Sequence, residues 1–127
     1  MRRMMMAACA VCVAGVCAGQ PDEVALFNGD DLSGWAAMFG GSLDAWAVED
    51  GEIRVVNAGR GGWLRTAKMY RDFDLSFDFI IPEGGNSGVG LRCSSVGDPA
   101  FTGFEVQIYD SSDGGTAMSD CGSVYNA

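Results

Sequence analysis

Short alternating segments dominate this chain and constrain its fold more than any other feature. From about residue 24 onward, apolar and polar side chains alternate in brief runs that end at Gly, Asp or Pro. No run shows the sustained three-to-four-residue spacing of an amphipathic helix. The pair Asp50-Gly51 separates two runs and is typical of a type I′ hairpin turn. These patterns predict an all-β domain, an antiparallel sandwich or barrel.

Two of these runs carry apolar side chains that we expect to face one common core. The longest alternation covers residues 73–81, and the other covers residues 104–109. Because successive side chains of a strand point to opposite faces, each run presents one apolar face. The predicted core side chains are Phe73, Leu75, Phe77, Phe79, Ile81, Phe104, Val106 and Ile108.

The other face of residues 104–109 is polar. Glu105, Gln107 and Tyr109 share it, so that a carboxylate, an amide and a phenol lie side by side. Such a row offers hydrogen-bond donors, acceptors and a ring within one surface. These are the groups that a sugar-sized polyol requires.

A matching polar face is predicted for the preceding run, residues 86–93. Its members are Asn86, Gly88, Gly90 and Arg92. Glycine weakens the interior of a strand, so Gly88 and Gly90 indicate a bulge or a place where another group approaches the backbone. That group could be a ligand or a neighbouring aromatic ring.

Residues 1–19 have the features of a secretory signal peptide. Arg2 and Arg3 precede an apolar stretch, and Val16-Cys17-Ala18 has the form of a cleavage site. The apolar stretch is too short to span a bilayer. We therefore expect export to the periplasm or the extracellular space, with no stable membrane span after cleavage.

Charge and residue types exclude several classes of function. Without the leader the chain has six basic and seventeen acidic residues, a formal charge of −11, so we expect no nucleic-acid partner. The chain has no histidine, which removes Ser-His-Asp and Cys-His catalysis and the commonest zinc and iron ligand sets. Two of the five cysteines, Cys93 and Cys121, remain after cleavage and could form one disulfide.

The C-terminal segment 121–127 begins what has the pattern of another element and then ends without a polar tail. We therefore expect residues 20–127 to be the N-terminal part of one domain of a longer protein. The alternation shows no repeat or linker that would divide this part into two.

Six segments follow one another in an order that one known family shares. They are 26–35 (LFNGDDLSGW), 46–53 (WAVEDGEI), 64–75 (LRTAKMYRDFDL), 86–92 (NSGVGLR), 105–110 (EVQIYD) and 122–125 (GSVY). In this order they resemble the bacterial 3-keto-disaccharide hydrolase domain family, whose members are also described as 3-keto-glucoside 1,2-lyases and 3-keto-2-hydroxy-glucal hydratases. The resemblance implies a concanavalin-like jelly roll of two sheets, here incomplete at the C-terminus.

The resemblance also implies a reaction on carbohydrates oxidised to a ketone at C3. The ketone acidifies the C2 proton, so a base can remove it and the C1 substituent can leave by β-elimination, after which water can add to the glucal. This chemistry needs a base and a donor or cation that holds the enolate charge. Glu105 is our candidate base, Arg92 or a bound divalent cation would stabilise the oxyanion, and Asp110 would be an alternate acid or a cation ligand. The expected substrate-binding residues are Asn86, Gln107, Tyr109 and Tyr125.

Other interpretations of the same residues stay open at this point. Glu105 and Arg92 could simply form a cross-strand salt bridge, without any role in catalysis or binding. Trp35 and Trp46 are expected in the core. Retaining glucanases of this fold have a Glu, an Asp two residues later and a Glu three residues after that. Glu105, Gln107 and Asp110 have this spacing, but the amide of Gln107 at the middle position argues against that activity. A noncatalytic carbohydrate-binding module could use the same polar face.

Overall fold

The computed structural model describes residues 24–114 and 120–125, and strands are their main regular structure. The strands are β1 (Trp35–Met38), β2 (Trp46–Glu49), β3 (Glu52–Val55), β4 (Trp63–Thr66), β5 (Asn86–Leu91) and β6 (Phe104–Tyr109). The helical elements are single turns, α1 (Ala58–Gly61), α2 (Pro99–Thr102) and the 3-10 turns Leu43–Ala45 and Ser111–Asp113. This content is consistent with the predicted all-β class.

The strands pair antiparallel as β1·β4, β2·β3 and β5·β6. In the β2·β3 hairpin, Trp46 lies opposite Val55. The turn residues Asp50 and Gly51 have φ values of 54° and 75°. Positive φ at both central positions defines the type I′ turn, so the hairpin predicted from the Asp-Gly pair is confirmed.

Backbone packs directly against backbone where α1 leads into β4. A Cβ atom on Gly62 would lie 2.6 Å from Cα of Gly41, and Gly62 has a φ of 52°. The Ser42 N–H also donates to the carbonyl of Arg60 at 3.0 Å. Glycine is therefore required here, since it removes the steric conflict and tolerates the positive φ. The close approach places Trp63 at the start of β4, opposite Met38 of β1.

β6 has a neighbour on each side. β5 pairs with it along its whole length, with Val89 opposite Val106, and on the other edge Val124 forms a bridge to Val106. The Gln107 N–H donates to the Ser123 carbonyl at 2.9 Å, and the Tyr125 N–H donates to the Glu105 carbonyl at 2.8 Å. The polar side chains of β6 thus stand on a strand whose backbone is bonded at both edges.

The core differs from the predicted one. Residues 73–81 form no strand, and Phe73, Leu75 and Phe79 are exposed. An alternating sequence becomes a strand only where neighbouring strands bond its backbone, which the pattern itself does not supply. Among the described residues, the buried apolar side chains are those of Phe27, Ala45, Ile53, Pro99 and Ile108.

β6 also reverses part of the predicted burial. Ile108 is buried as expected, with 2% of its surface exposed, but Phe104 is 57% exposed. On the polar face, Glu105 is only 9% exposed and Gln107 only 4%. The two faces alternate as predicted. However, Glu105 and Gln107 on the polar face are more deeply buried than Phe104 on the apolar face.

Among the residues that the structure describes, no helix is long and apolar enough to cross a membrane. The predicted signal peptide, residues 1–19, lies outside these residues. Export therefore stays a prediction.

Candidate functional site

A cleft of about 340 Å³ is lined by residues of all three strand pairs. The three tryptophans of the chain, Trp35, Trp46 and Trp63, form its apolar walls. β5 and β6 provide the polar wall, whose residues are Asn86, Ser87, Gly88 and Glu105. Indole rings combined with a few polar groups are typical of sites for small ligands that have both apolar and polar surfaces.

The indoles differ in how their N–H groups are used. Trp46 Nε1 donates to the Gly61 carbonyl at 2.9 Å, which fixes its ring beside α1. Trp35 Nε1 is buried and has no partner among the described residues. A buried N–H without an acceptor is costly, so the orientation of Trp35 is imposed by its surroundings.

Glu105 is the carboxylate of the cleft. It lies opposite Gly90 in the β5·β6 register, but its side chain leans along β5 and covers Gly88. Burial raises the pKa of the Glu105 carboxyl above its usual range, and the negative charge of Asp98 raises it further. A raised pKa makes a carboxylate a stronger base, because the pKa then lies closer to the neutral pH at which the base would act.

Gln107 and Asn86 form an amide pair next to this carboxylate. Gln107 Nε2 donates to Asn86 Oδ1 at 2.9 Å. Gln107 Oε1 is buried and has no partner among the described residues. Since Gln107 lies opposite Gly88, its side chain leans along β5 in the same direction as that of Glu105.

The glycines of the polar face have the close neighbours that their positions indicated. At Gly88 the approaching group is the Glu105 side chain. At Gly90 a Cβ atom would lie 2.9 Å from Cys93 Sγ and 3.2 Å from Cζ3 of Trp63. The space that side chains at these positions would fill is therefore occupied by the Glu105 carboxylate at Gly88, and by the Cys93 thiol and the Trp63 indole at Gly90.

Arg92 lies away from the carboxylate that it was expected to join. It directly follows β5, has a φ of 54° and is exposed. Its guanidinium donates to the Arg71 carbonyl at 3.1 Å. Within residues 24–114 and 120–125 it forms no ion pair with Glu105, so the cross-strand salt bridge is wrong. The positive φ ends the alternation of β5 and explains the difference.

Asp110 is engaged in a turn. Its carboxylate accepts the Gly84 N–H at 2.7 Å and the Ser112 N–H at 3.2 Å. The hydrogen bond from the Gly84 backbone lowers the pKa of Asp110 most, and Ser112 adds to the effect. Both carboxylate oxygens of Asp110 are therefore bonded to backbone donors, and Asp110 is not among the residues that line the cleft.

The remaining predicted groups lie at the margin of the site. Tyr109 pairs with Asn86 in the register and shares the face of Gln107, while Tyr125 is 39% exposed. Neither tyrosine lines the cleft. Cys93 and Cys121 are both free thiols, so the disulfide that they could form is not present.

Comparison of the sequence with known proteins identifies its family. Residues 22–127 match the 3-keto-alpha-glucoside-1,2-lyase-like domain. The chain belongs to this family. A 3-keto-disaccharide hydrolase of Bacteroides thetaiotaomicron is 26% identical over an alignment of 91 positions, and the match covers 65% of this chain and 31% of that relative. The chain thus spans about a third of the length of the curated relative. No solved structure matches it significantly.

The matching family and the relative are both named for reactions on 3-keto sugars. In the described part of the chain, no three His, Cys, Asp or Glu side chains are grouped so that they could hold a metal ion. The divalent cation that the family resemblance raised as one option has no ligand cluster there.

The tryptophans are the site residues that the sequence interpretation missed. Trp35 and Trp46 were expected in the core and Trp63 was not assigned. One signal was available, since each tryptophan is the first residue of its strand. An aromatic residue at a strand end lies at the rim of a sheet, where two sheets can enclose a cleft.

Proposed function

We propose that this domain binds a 3-keto-glycoside in the tryptophan-lined cleft and that Glu105 removes its C2 proton. The observation that carries the proposal is the position of Glu105. It is the carboxylate of the cleft, it is largely buried, and its pKa is raised by that burial. A desolvated carboxylate is a competent base for a carbon acid that a neighbouring ketone has activated.

The walls of the cleft suit a sugar ring. The C–H faces of a pyranose can pack against Trp35, Trp46 or Trp63, while its hydroxyls face the polar wall of β5 and β6. Asn86 lines this wall and is oriented by its bond from Gln107. We assign to these two amides the orientation of the substrate hydroxyls.

The proposed step is a β-elimination. Glu105 takes the proton from C2 and becomes a neutral acid, and the electron pair of that C–H bond forms an enolate with the C3 ketone. The enolate then forms the C1–C2 double bond as the C1–O bond breaks, and the departing oxygen takes the proton from Glu105, which returns to its carboxylate form. Addition of water to the glucal, with the hydroxyl at C1 and the proton at C2, gives the free 3-keto sugar.

The enolate charge needs a partner. We retain Arg92 in this role, for which its guanidinium would have to leave the Arg71 carbonyl and reach the cleft. Asp110 as an alternate acid, and Tyr109 and Tyr125 as substrate contacts, are further assignments of this proposal. These three residues do not line the cleft, so they are secondary to Glu105 and Asn86, which do, and to Gln107, which is bonded to Asn86.

Two alternatives predict different behaviour. A two-carboxylate glycosidase would use Asp110 with Glu105, but Asp110 is bonded to two backbone N–H groups and its pKa is lowered. A noncatalytic module would use the same indole walls for binding alone. The elimination is preferred because it gives the desolvated carboxylate a chemical role, whereas a binding module could accept sugar hydroxyls with neutral groups that cost less to bury.

The experiment compares matched 3-keto and unoxidised glucosides, with enol absorbance and released aglycone as readouts. We expect turnover of the keto substrate only, and a loss of about 100-fold or more in kcat for Glu105→Gln. Glu83→Gln, at an exposed glutamate outside the cleft, is the matched control. Equal turnover of both glucosides would favour the glycosidase, and binding of either without turnover would favour the module. Undiminished turnover in Glu105→Gln would remove Glu105 as the base.

We also propose that the complete domain is a two-sheet jelly roll exported by the leader at residues 1–19. The family resemblance and the leader sequence support this. Fractionation of cells that express the native gene tests export, and a chain found only in the cytosol with residues 1–19 intact would contradict it.

A further inference from the structure

The Glu105 side chain lies in the space that a side chain on Gly88 would occupy. A Cβ atom built on Gly88 would lie 2.7 Å from Cγ and 2.8 Å from Cδ of Glu105, and closer still to Oε1. The conflict involves the stem of the glutamate as well as its carboxylate. A shift of the carboxylate alone would not relieve it.

No polar contact in the described structure fixes this carboxylate. Among residues 24–114 and 120–125, Glu105 makes no side-chain hydrogen bond and no ion pair. Its backbone is held at both edges of β6, so the strand is fixed while the side chain depends on packing. The surface of Gly88 is the part of that packing that lies directly beneath the carboxylate.

Gly88 is not required by backbone conformation. It lies within β5 and does not have the positive φ that favours glycine at turns such as Gly51 and Gly62. Alanine would be acceptable to this backbone by itself. The effect of a side chain at position 88 is therefore an effect on its neighbour.

We propose that Gly88 is a positioning residue for Glu105, because its missing side chain provides the place in which the glutamate lies against the cleft wall. This inference rests on the proposed function only for its effect on turnover. A methyl group at position 88 would displace the carboxylate from the wall toward solvent. Proton abstraction is sensitive to such a displacement, since a misplaced base loses its alignment with the C–H bond.

The first test does not need a substrate. The Glu105 carboxyl is titrated by carbon NMR in the protein and in Gly88→Ala, with Glu105→Gln used to assign its resonance. We expect the titration midpoint of Glu105 to fall in Gly88→Ala toward the ordinary glutamate value of about 4.3, because the displaced group is better solvated. An unchanged midpoint would overturn the proposal. The control is Gly59→Ala, where the new Cβ would make only an ordinary contact of 3.7 Å with Asn57 Oδ1.

The second test is a double-mutant cycle in urea unfolding. Gly88→Ala should destabilise the protein clearly more when Glu105 is present than in a Glu105→Ala background, where the conflicting side chain is gone. If Gly88→Ala does not fold, Glu105→Ala should restore folding. Equal destabilisation in both backgrounds, or a double variant that still fails to fold, would overturn the proposal.

Turnover of a 3-keto-glucoside adds the third readout. Gly88→Ala should lower kcat by about 10-fold or more and change KM by less than about 3-fold, since the cleft walls remain. A loss confined to KM would overturn the positioning role. If the protein turns over no 3-keto-glucoside at all, the proposed function fails, and the titration and the cycle still decide the role of Gly88.

Discussion

Gln107 Nε2 donates a 2.9 Å hydrogen bond to Asn86 Oδ1, two residues along β5 from the position directly opposite it. Glu105 leans by the same two residues to reach Gly88. The polar side chains of β6 therefore incline together toward the start of β5. This common inclination brings the Glu105 carboxylate to the cleft wall that Asn86 also lines, while Gln107 holds Asn86 from outside the cleft.

Asn86→Ala should lower the free energy of unfolding by about 1 to 3 kcal/mol, because it leaves the buried amide of Gln107 with no acceptor. Urea unfolding at neutral pH measures the change. Asn57→Ala is the control, since Asn57 is exposed and its side chain makes no capping hydrogen bond to α1. Equal stability of the two variants would show that the amide pair contributes nothing.

Ile108→Ala should cost about 2 to 5 kcal/mol in unfolding free energy, because Ile108 is 2% exposed and its truncation leaves a cavity. Phe104→Ala on the same face of the same strand should change stability by no more than about 0.5 kcal/mol, because Phe104 is 57% exposed. Similar losses in the two variants would restore the original expectation that both side chains face one core.

Glu105→Gln should increase stability at pH 7. The folded-state pKa of Glu105 is raised by burial and by Asp98, so the folded protein holds this proton more tightly than the unfolded chain. That contribution is fully present below the unfolded pKa of about 4.3 and is lost as pH rises through the higher folded pKa. The gain of the variant should therefore shrink as pH falls toward 4. The stability gain is measured by urea unfolding at pH 7 and at pH 4. Glu83→Gln is the control for the removal of a charge. No gain at pH 7 would contradict the prediction.

Asp110→Ala should have the opposite dependence on pH. The Gly84 N–H lowers the folded-state pKa of Asp110, so the carboxylate stabilises the fold above the unfolded pKa of about 3.9. This stabilisation is lost as pH falls through the lower folded pKa. The variant should be less stable than the parent protein at pH 7, and the gap should narrow below about pH 4. Asp74→Ala, at an exposed acid with no hydrogen bond to any described residue, serves as the reference. A gap that is constant with pH would disprove the role of the charge.

Local signals in the sequence were sufficient for part of this structure. The Asp50-Gly51 pair specified its turn because positive φ at two successive residues depends on those residues alone. The shared face of Gln107 and Gly88 followed from the period of two, which pairing in register preserves.

The remaining features depend on contacts between distant segments. Alternation in β6 separates Glu105 from Phe104 but does not say which of the two faces will be covered, and here the tryptophans cover part of the polar one. The run at 73–81 has a strand pattern but forms no strand. Trp35 and Trp63 enter one cleft because β1 and β4 pair across an intervening hairpin, which no local pattern reveals.

The bonding of β6 at both edges has a consequence for motion in the site. Within the described residues, each strand of β1·β4 and β2·β3 has one partner, whereas β6 lies between β5 and residues 122–125. Amide hydrogen exchange over minutes to hours should therefore be slowest in β6 and faster in the pairs that carry the indoles. We therefore expect a ligand to enter by displacing the strand pairs that carry the tryptophans, while β6, which carries Glu105, stays in place.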